Sequence, residues 1–180
     1  ALLLAVVAGS GIMGEQLAMV GSANPAAITG LALLANSLAT GAGQFVLIML
    51  FGPVSGAHFN PVVSLVAMLQ RQLSARAFAG YVSAQILGGV SGILATHAMF
   101  NLALWQASTK VRSGGHLWWA ELVATFGLVL TIQGLSRRQA ALPAIAASVA
   151  LYIVAAYWFT ASTSFANPAV TLARSLTDTF

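Results

Sequence analysis

The chain has 180 residues, of which 59% are hydrophobic and 6% are charged, and its formal net charge is +4. About a quarter of the residues of a soluble domain are charged, so this composition excludes an ordinary soluble globule and is typical of a chain that crosses a membrane several times. The basic residues lie mostly in pairs between apolar runs rather than in one patch, which argues against a nucleic-acid partner. The absence of cysteine excludes disulfides and thiolate metal sites.

Five apolar runs are long enough to cross a membrane as helices. We predict them over residues 1–20, 26–50, 76–99, 116–136 and 140–161. Two shorter pieces, 60–70 and 168–178, would form helices about 16 Å long, half the hydrocarbon thickness. Each follows an Asn residue that can cap a helix and has a Pro residue suited to its first position. Both short helices are therefore predicted to begin at mid-membrane depth, where irregular backbone must be buried or line a wet cavity.

These two short helices belong to an internal repeat, because FNPVVSL (59–65) matches ANPAVTL (166–172) position by position. An odd number of spans separates the halves, so they insert in opposite orientations, with the half-helices meeting near the midplane. We place repeat one at about 1–105 and repeat two at about 115–180, within a single membrane domain. The repeat also predicts a sixth span after Phe180 and an acidic residue before Ala1 that matches Glu121. We therefore expect the sequence to be cropped at both ends.

Loop charges predict the orientation of the chain in the membrane. Arg71, Arg76, Arg137 and Arg138 fall on one side, whereas the opposite loop, QASTKVRSGG, carries two basic residues. Because Arg and Lys are enriched in the cytoplasmic loops of membrane proteins, we expect the four arginines to face the cytoplasm.

Two Asn-Pro boxes in an inverted repeat resemble the major intrinsic protein family, the aquaporins and aquaglyceroporins. GAHFNPVVSL (56–65) is similar to the family's first box, with Asn60, Pro61 and Val62 where Ala is usual at the third position. ANPAVTL, with Asn167, Pro168 and Ala169, is similar to its second. YVSAQILGG (81–89) resembles the family's third helix, and AELVATFGLVL (120–130) resembles its fourth.

The resemblance covers essentially the whole chain and has implications for fold and assembly. It implies an all-α membrane protein, an aquaporin-like inverted repeat of three spans and one re-entrant half-helix in each half, here without helix 6. It also implies a homotetramer in a lipid bilayer with one pore in each subunit. The excess of Arg over Lys and the abundant Ala favour a bacterial source and hence the inner (plasma) membrane.

Two facing half-helices have a clear electrostatic consequence. Each N-terminus carries about half a positive charge and several unpaired N–H groups. Cations are repelled there, while the amides of Asn60 and Asn167 can donate to the oxygens of neutral hydroxyl-bearing solutes. The resemblance further implies a polar track of loop carbonyls, here from Gly56, Ala57 and His58 and from Thr163, Ser164 and Phe165, with His58 lining the cytoplasmic half of the pore.

The resemblance also implies a constriction of four residues, carried over by spacing as Thr40, Ala155, Ser164 and Val170. Family members nearly always have Arg where this chain has Val170, and water-selective members add an aromatic residue and a His. Four small uncharged side chains predict a pore that passes glycerol, urea and the trihydroxides of arsenic and antimony besides water. Arg174 lies one turn beyond Val170 on nearly the same face. We expect it at the outer mouth, with snorkelling to the headgroups as the alternative.

Three other functions are compatible with parts of the sequence: a water-selective channel, a structural membrane protein with a closed pore, and a rhomboid-like intramembrane serine protease. In the protease, Ser91 of GVSG would attack, and its nearest histidine, His97, lies about 120° away on the same helix.

Glu121 is a carboxylate well inside a span, and the resemblance gives it a structural role as an acceptor for the re-entrant loop. No two histidines have metal-ligand spacing. We therefore predict a channel without a metal or cofactor, and not an enzyme.

Overall fold

A computed structural model describes residues 1–179 of the chain. Seven helices lie in this part: α1 Leu2–Gly21, α2 Pro25–Ser55, α3 Pro61–Leu69, α4 Ala75–Met99, α5 Gly115–Arg137, α6 Leu142–Phe159 and α7 Pro168–Arg174. Five of them, α1, α2, α4, α5 and α6, are long and apolar enough to cross a membrane. The predicted all-α membrane fold, with five spans and two short helices, is confirmed.

The ends of two helices differ from the prediction. α2 continues to Ser55 and ends where Gly56 adopts a φ of 70° and donates its N–H to the carbonyl of Gly52. α7 ends at Arg174, because the N–H of Ser175 turns to the carbonyl of Leu172 in a tighter turn. The residues that follow α7 are connected instead to the loop between α4 and α5, through the N–H of Ser108 and the carbonyl of Ser175 at 3.0 Å.

Two buried apolar clusters hold the helices around the re-entrant loops. One joins α2, α5 and α6 and includes Leu128 and Ile153. The other joins α1, α2, α4 and α7 and includes Leu4 and Ile93. Phe59, in the loop before α3, packs against both clusters. The first re-entrant loop is therefore wedged between the two halves of the bundle.

Small residues allow the helices to approach closely, which is how helices associate in lipid. Gly41 of α2 faces α6, and a Cβ at this position would clash with the Cγ2 of Val154. Gly92 of α4 faces α1, where a Cβ would lie 2.8 Å from the Cβ of Leu4. Glycine is therefore required at both contacts for close packing of the helices.

Both short helices begin with the same cap. The Oδ1 of Asn60 accepts a hydrogen bond from the N–H of Val62 at 2.9 Å. The Oδ1 of Asn167 accepts from the N–H of Ala169 at 3.1 Å. Each following Pro occupies the first helical turn, where no donor is needed.

A third Asn-Pro-Ala tripeptide, residues 24–26, starts α2 with the same chemistry. The Oδ1 of Asn24 accepts from the N–H of Ala26 at 3.0 Å, but this cap is exposed at the end of the bundle. The tripeptide alone therefore marks the start of a helix. Its place in the fold decides whether it belongs to a pore.

Candidate pore and selectivity site

The two half-helices meet through a reciprocal pair of hydrogen bonds. The Nδ2 of Asn60 donates to the carbonyl of Ala166 at 2.6 Å, and the Nδ2 of Asn167 donates to the carbonyl of Phe59 at 2.8 Å. Each amide therefore bonds the residue that precedes the other asparagine. Because an amide nitrogen has two N–H groups, one donor on each side chain remains for the cavity that both residues line.

The two loops before these asparagines follow the same backbone path. Counting back from each Asn, the first, third and fourth residues all have positive φ. These residues are Gly56 (70°), Ala57 (46°) and Phe59 (48°) in one loop and Thr163 (55°), Ser164 (50°) and Ala166 (48°) in the other. A left-handed conformation costs a non-glycine residue roughly 1–2 kcal/mol, so the surrounding contacts must hold both loops in place.

Glu121 supports the second loop from behind. Its Oε1 accepts from the N–H of Phe165 at 2.9 Å, and its Oε2 accepts from the N–H of Ala166 at 2.7 Å. The carboxylate therefore satisfies two backbone donors that the left-handed path leaves without helical partners. Glu121 does not line the pore cavity, which is consistent with a structural rather than a solute-binding position.

A cavity of about 270 Å³, here called the pore cavity, runs between the helices and past both asparagines. It extends from Gln72 and Ser136, near one end of the bundle, to Thr40 and Val170 inside it. Of the predicted polar-track residues, Gly56, Ala57, His58, Ser164 and Phe165 line it. Among the described residues, no Asp, Glu, Lys or Arg lines this cavity. The passage is therefore polar but uncharged.

Three of the four predicted filter residues belong to the wall of the pore cavity. Thr40, Ser164 and Val170 are buried and line it. The Oγ of Ser164 is buried and has no hydrogen-bond partner among the described residues. This unpaired hydroxyl can bind a solute oxygen that passes the constriction.

The fourth filter residue needs a correction, because Ala155 lies on the exposed face of α6 and does not line the cavity. Ile153 and Tyr157 line it instead, and the hydroxyl of Tyr157 lies 3.2 Å from the Oγ1 of Thr40. A helix turns by about 100° per residue, so an offset of two residues moves a side chain to the opposite face. The predicted constriction is therefore more aromatic than four small residues would make it.

The comparisons with known proteins agree with this geometry. A family model described as Major intrinsic protein matches residues 1–178. This chain belongs to the major intrinsic protein family. The predicted recognition is therefore confirmed, and the chain is a multi-pass membrane channel of this family.

Several members of the family are similar to the chain over different lengths. The aquaglyceroporin AqpS of Rhizobium meliloti is 52% identical over 180 residues, which cover 99% of this chain and 72% of that protein. The lens fiber major intrinsic protein of Gallus gallus is 42% identical over 60 residues, 33% of this chain and 23% of that protein. Aquaporin-5 of Rattus norvegicus is 33% identical over 106 residues, 56% of this chain and 40% of that protein.

Beyond the constriction lies a second cavity of about 450 Å³, here called the vestibule. It shares Val7, Tyr157 and Phe165 with the pore cavity, so the two cavities adjoin at these three residues. Arg174 lines the vestibule, one turn beyond Val170. The structure therefore places this arginine outside the constriction.

Arg112, from the loop between α4 and α5, also lines the vestibule. Its guanidinium lies 4.1 Å from the centre of the Phe165 ring, and its Nη2 donates to the carbonyl of Ser162 and the hydroxyl of Thr163. Burial lowers the pKa of Arg112, and the charge of Glu121 opposes that shift. Arginine nevertheless stays charged in proteins. Nothing in its local sequence identifies this residue, because the fold of the loop between α4 and α5 brings it to the site.

His58 lies on the wall of the pore cavity nearer α3. Its Nδ1 is 3.1 Å from the Oγ of Ser64, which also accepts from the Nε2 of Gln85 at 3.0 Å. Its ring packs 5.1 Å from that of Tyr81. These contacts fix the ring against α3 and α4 while one edge faces the cavity.

The structure does not bring the residues of the alternative protease together. Ser91 is exposed, and its hydroxyl donates to the carbonyl of Leu87 in its own helix. His97 is fully buried, with its two ring nitrogens bonded to the carbonyl of Leu104 and the hydroxyl of Thr177. In residues 1–179, no group of three His, Cys, Asp or Glu side chains could hold a metal ion.

Proposed function

We propose that this protein is a passive channel for small neutral solutes, namely polyols such as glycerol, urea, metalloid hydroxides such as arsenite, and water. Membership of the family and the likeness to an aquaglyceroporin support a solute channel. The uncharged lining of the pore cavity carries the argument for neutral solutes. An ion that entered would lose its hydration without meeting an opposite charge, which is costly in a low-dielectric site.

The centre of the pore favours solutes with hydroxyl or carbonyl oxygens. The N-termini of α3 and α7 meet there, each with a partial positive charge, and each of Asn60 and Asn167 keeps one free N–H group. Cations are repelled by the two helix ends. A neutral solute can exchange hydrogen bonds with water for bonds with these donors.

The constriction has two chemically different walls, which suit a polyol. Tyr157, Phe165 and Val170 provide apolar surface, whereas Thr40 and Ser164 provide hydroxyl groups. Glycerol has a carbon backbone on one side and hydroxyls on the other, so it can contact both walls at once. The replacement of the family's filter Arg by Val170 leaves more room for such a solute.

A water-selective channel is the second candidate, and one observation favours it. The aromatic side chain of Tyr157 lines the pore cavity beside Thr40, with its hydroxyl 3.2 Å from the Oγ1 of Thr40, so it takes up space at the predicted constriction. If this side chain keeps its position during transport, only water would pass.

Stopped-flow light scattering on proteoliposomes decides between the two. We expect glycerol, urea and arsenite to enter vesicles that contain the protein faster than protein-free vesicles of the same lipid. If the protein speeds the exchange of water but not the entry of the larger solutes, the water-selective alternative is correct. If the protein speeds the entry of neither water nor any solute, both channel proposals are wrong and the pore is closed.

We further propose that the protein lies in a bacterial inner (plasma) membrane as a homotetramer with one pore in each subunit. The apolar surface of its five spans and the likeness to a rhizobial relative support the membrane and the source, and membership of the family supports the tetramer. Native mass spectrometry from detergent should give four times the mass of a single chain. A monomer that retains full solute flux would contradict the assembly.

A further inference from the structure

The vestibule contains more positive charge than a passage for neutral solutes needs. Lys110, Arg112 and Arg174 line it, with Glu15 as the one carboxylate among the described residues of its wall. The guanidinium carbons of Arg112 and Arg174 lie 4.1 Å and 5.8 Å from the centre of the same ring, that of Phe165. Two cations therefore share one aromatic residue directly outside the constriction.

Arg174 has few partners for its hydrogen-bond donors. Its Nη2 donates to the carbonyl of Thr179 at 3.4 Å, and this long contact is the only hydrogen bond that its guanidinium makes to residues 1–179. A guanidinium has five N–H groups, and unpaired donors on a partly buried cation are unfavourable. Most of the donor capacity of Arg174 therefore remains for a ligand.

Two hydrogen bonds hold Arg112 in place, but they use only part of the donor capacity of its guanidinium. Its Nη2 bonds the carbonyl of Ser162 and the hydroxyl of Thr163, which fixes the plane of the guanidinium above Phe165. The other nitrogens make no hydrogen bond to the described residues. A fixed guanidinium with free donors is suited to bind planar or tetrahedral oxyanions with two parallel bonds.

The nearby carboxylates compensate Arg112 in part, because the charge of Glu121 acts on it, and leave Arg174 uncompensated. Glu121 is close enough to affect Arg112, but its two oxygens already accept from the loop backbone. Asp178 accepts two hydrogen bonds from Thr109 and faces Lys110 rather than the arginines. Arg174 is therefore the least compensated cation of the vestibule.

We propose that the vestibule is a binding site for a small oxyanion of the phosphate class, held by the guanidinium groups of Arg112 and Arg174. The hydroxyl of Thr179 lines the same cavity and can complete the coordination. The bound anion would lie on the vestibule side of Val7, Tyr157 and Phe165. It would not continue inward, because the pore cavity offers no cationic side chain. It would therefore slow the entry of neutral solutes.

The phosphate group could belong to a free anion or to a lipid headgroup. The vestibule adjoins the pore cavity between α1, α2 and α7, so we commit to the free anion.

The test is isothermal titration of the purified protein with inorganic phosphate, at constant ionic strength set with chloride. We expect saturable binding that Arg174→Gln and Arg112→Gln each weaken by about tenfold or more, as expected for loss of a charge-assisted hydrogen bond. Arg138→Gln is the matched control, because Arg138 is exposed at the turn between α5 and α6. It should bind phosphate like the unmodified protein.

Two further arms complete the test. In nanodiscs, phosphatidylglycerol and phosphatidylcholine should give the same phosphate affinity, and loss of binding in phosphatidylglycerol would identify a lipid headgroup as the occupant. Arg174→Lys and Arg112→Lys, which keep the charge, should bind better than the Gln variants. Absence of binding, or binding that neither Gln variant weakens, would overturn the proposal. Because titration does not depend on flux, a protein that binds phosphate but passes no solute would refute the channel proposal alone.

Discussion

At the scale of single residues, Asn60 and Asn167 each perform three tasks with one amide group. The Oδ1 caps a helix, one N–H joins the opposite loop, and the other N–H remains for the pore. Asn24 performs only the first task, at an exposed helix start. A comparison of variants at these three positions therefore separates the effect of losing a helix cap from the effect of changing the pore.

We predict that Asn167→Asp makes the channel leak cations. The carboxylate can still cap α7, but it cannot donate to the carbonyl of Phe59. It also places a negative charge between two positive helix ends. Bilayer conductance should show a cation current that the unmodified channel lacks. Asn24→Asp is the control and should show no current, because Asp caps an exposed helix as well as Asn. Asn167→Asp with no current and unchanged neutral flux would contradict the role assigned to the half-helix ends.

A second prediction concerns the residue at the family's Arg position. Val170→Arg should reduce glycerol flux about tenfold more than water flux, a discrimination of the size that small steric differences produce. The long side chain narrows a constriction that Thr40 and Tyr157 already share. Val170→Leu adds volume without charge and should have a smaller effect. Stopped-flow measurements of both solutes give the ratio, and an unchanged ratio would show that Val170 lies outside the constriction.

The sequence predicts the caps better than it predicts the constriction. The partners of an Asn cap lie two or three residues away, so Asn60 and Asn167 are identified from local spacing. Tyr157 and Arg112 depend on the rotation of α6 and on the fold of a loop, which no local pattern specifies. Spacing carried over from a family selected Ala155, two residues from Tyr157 and on the opposite face of the helix.

At the scale of secondary-structure elements, close packing between α2 and α6 determines where the pore wall lies. Gly41 follows the filter residue Thr40 and leaves room for Val154 of α6. Thr40 can reach Tyr157 only because these helices approach closely. The packing of the two helices and the width of the constriction are therefore linked.

We predict that Gly41→Ala destabilises the protein by about 1–3 kcal/mol, the usual cost of overpacking. The added Cβ would clash with Val154 and force α2 and α6 apart. Gly30→Ala in the same helix is the matched control, because a Cβ there meets no atom within 4 Å. It should be neutral or stabilise the helix by up to about 1 kcal/mol. Thermal unfolding in detergent measures both, and equal melting temperatures would contradict the tight contact.

The hydrogen bonds from Thr109 to the carboxylate of Asp178, here called the tether, connect the loop between α4 and α5 to the residues after α7 and depend on pH. The backbone N–H of Thr109, and then its hydroxyl, hold the pKa of Asp178 below its ordinary value of 3.8. The stabilisation from a carboxyl with a lowered pKa is fully present above the ordinary value and is lost as the pH falls through the folded value. The tether should therefore be intact at neutral pH.

A spin label on Ala107→Cys, in a chain without cysteine, tests this tether. Its mobility should stay constant from pH 7 to about 4 and rise only below that, as the linkage argument requires. Asp178→Asn should be mobile at every pH, because its amide oxygen is a weaker acceptor than the carboxylate. A rise already between pH 7 and 5 would implicate a group other than Asp178.

At the scale of the whole molecule, the excess of basic residues on one side predicts the orientation. A membrane-impermeant maleimide should label Ala107→Cys, in the loop between α4 and α5, in intact cells. It should label Gln139→Cys, in the turn between α5 and α6, only after the membrane is permeabilised. The reverse pattern would place Arg137 and Arg138 outside the cell and would contradict the prediction from loop charges.

The architecture follows from the sequence because its signals are long and redundant. Runs of about 20 apolar residues and two matching boxes specify spans and half-helices without any knowledge of contacts. Helix ends are specified by single hydrogen bonds, so α2 reaches Ser55 and α7 ends at Arg174 against the prediction. The vestibule is less predictable still, since its charged residues come from α1, a loop and α7.

The reciprocal asparagine bonds also constrain the order in which the protein can be made. Asn60 bonds Ala166, and Asn167 bonds Phe59, so each bond joins residues separated by more than 100 positions. When the first loop leaves the ribosome, its partners have not been synthesised, and the carbonyl of Phe59 must be satisfied by water or by the insertion machinery. Contacts between residues so distant in sequence form slowly. Neither loop can therefore complete these bonds before the second half-helix has been made.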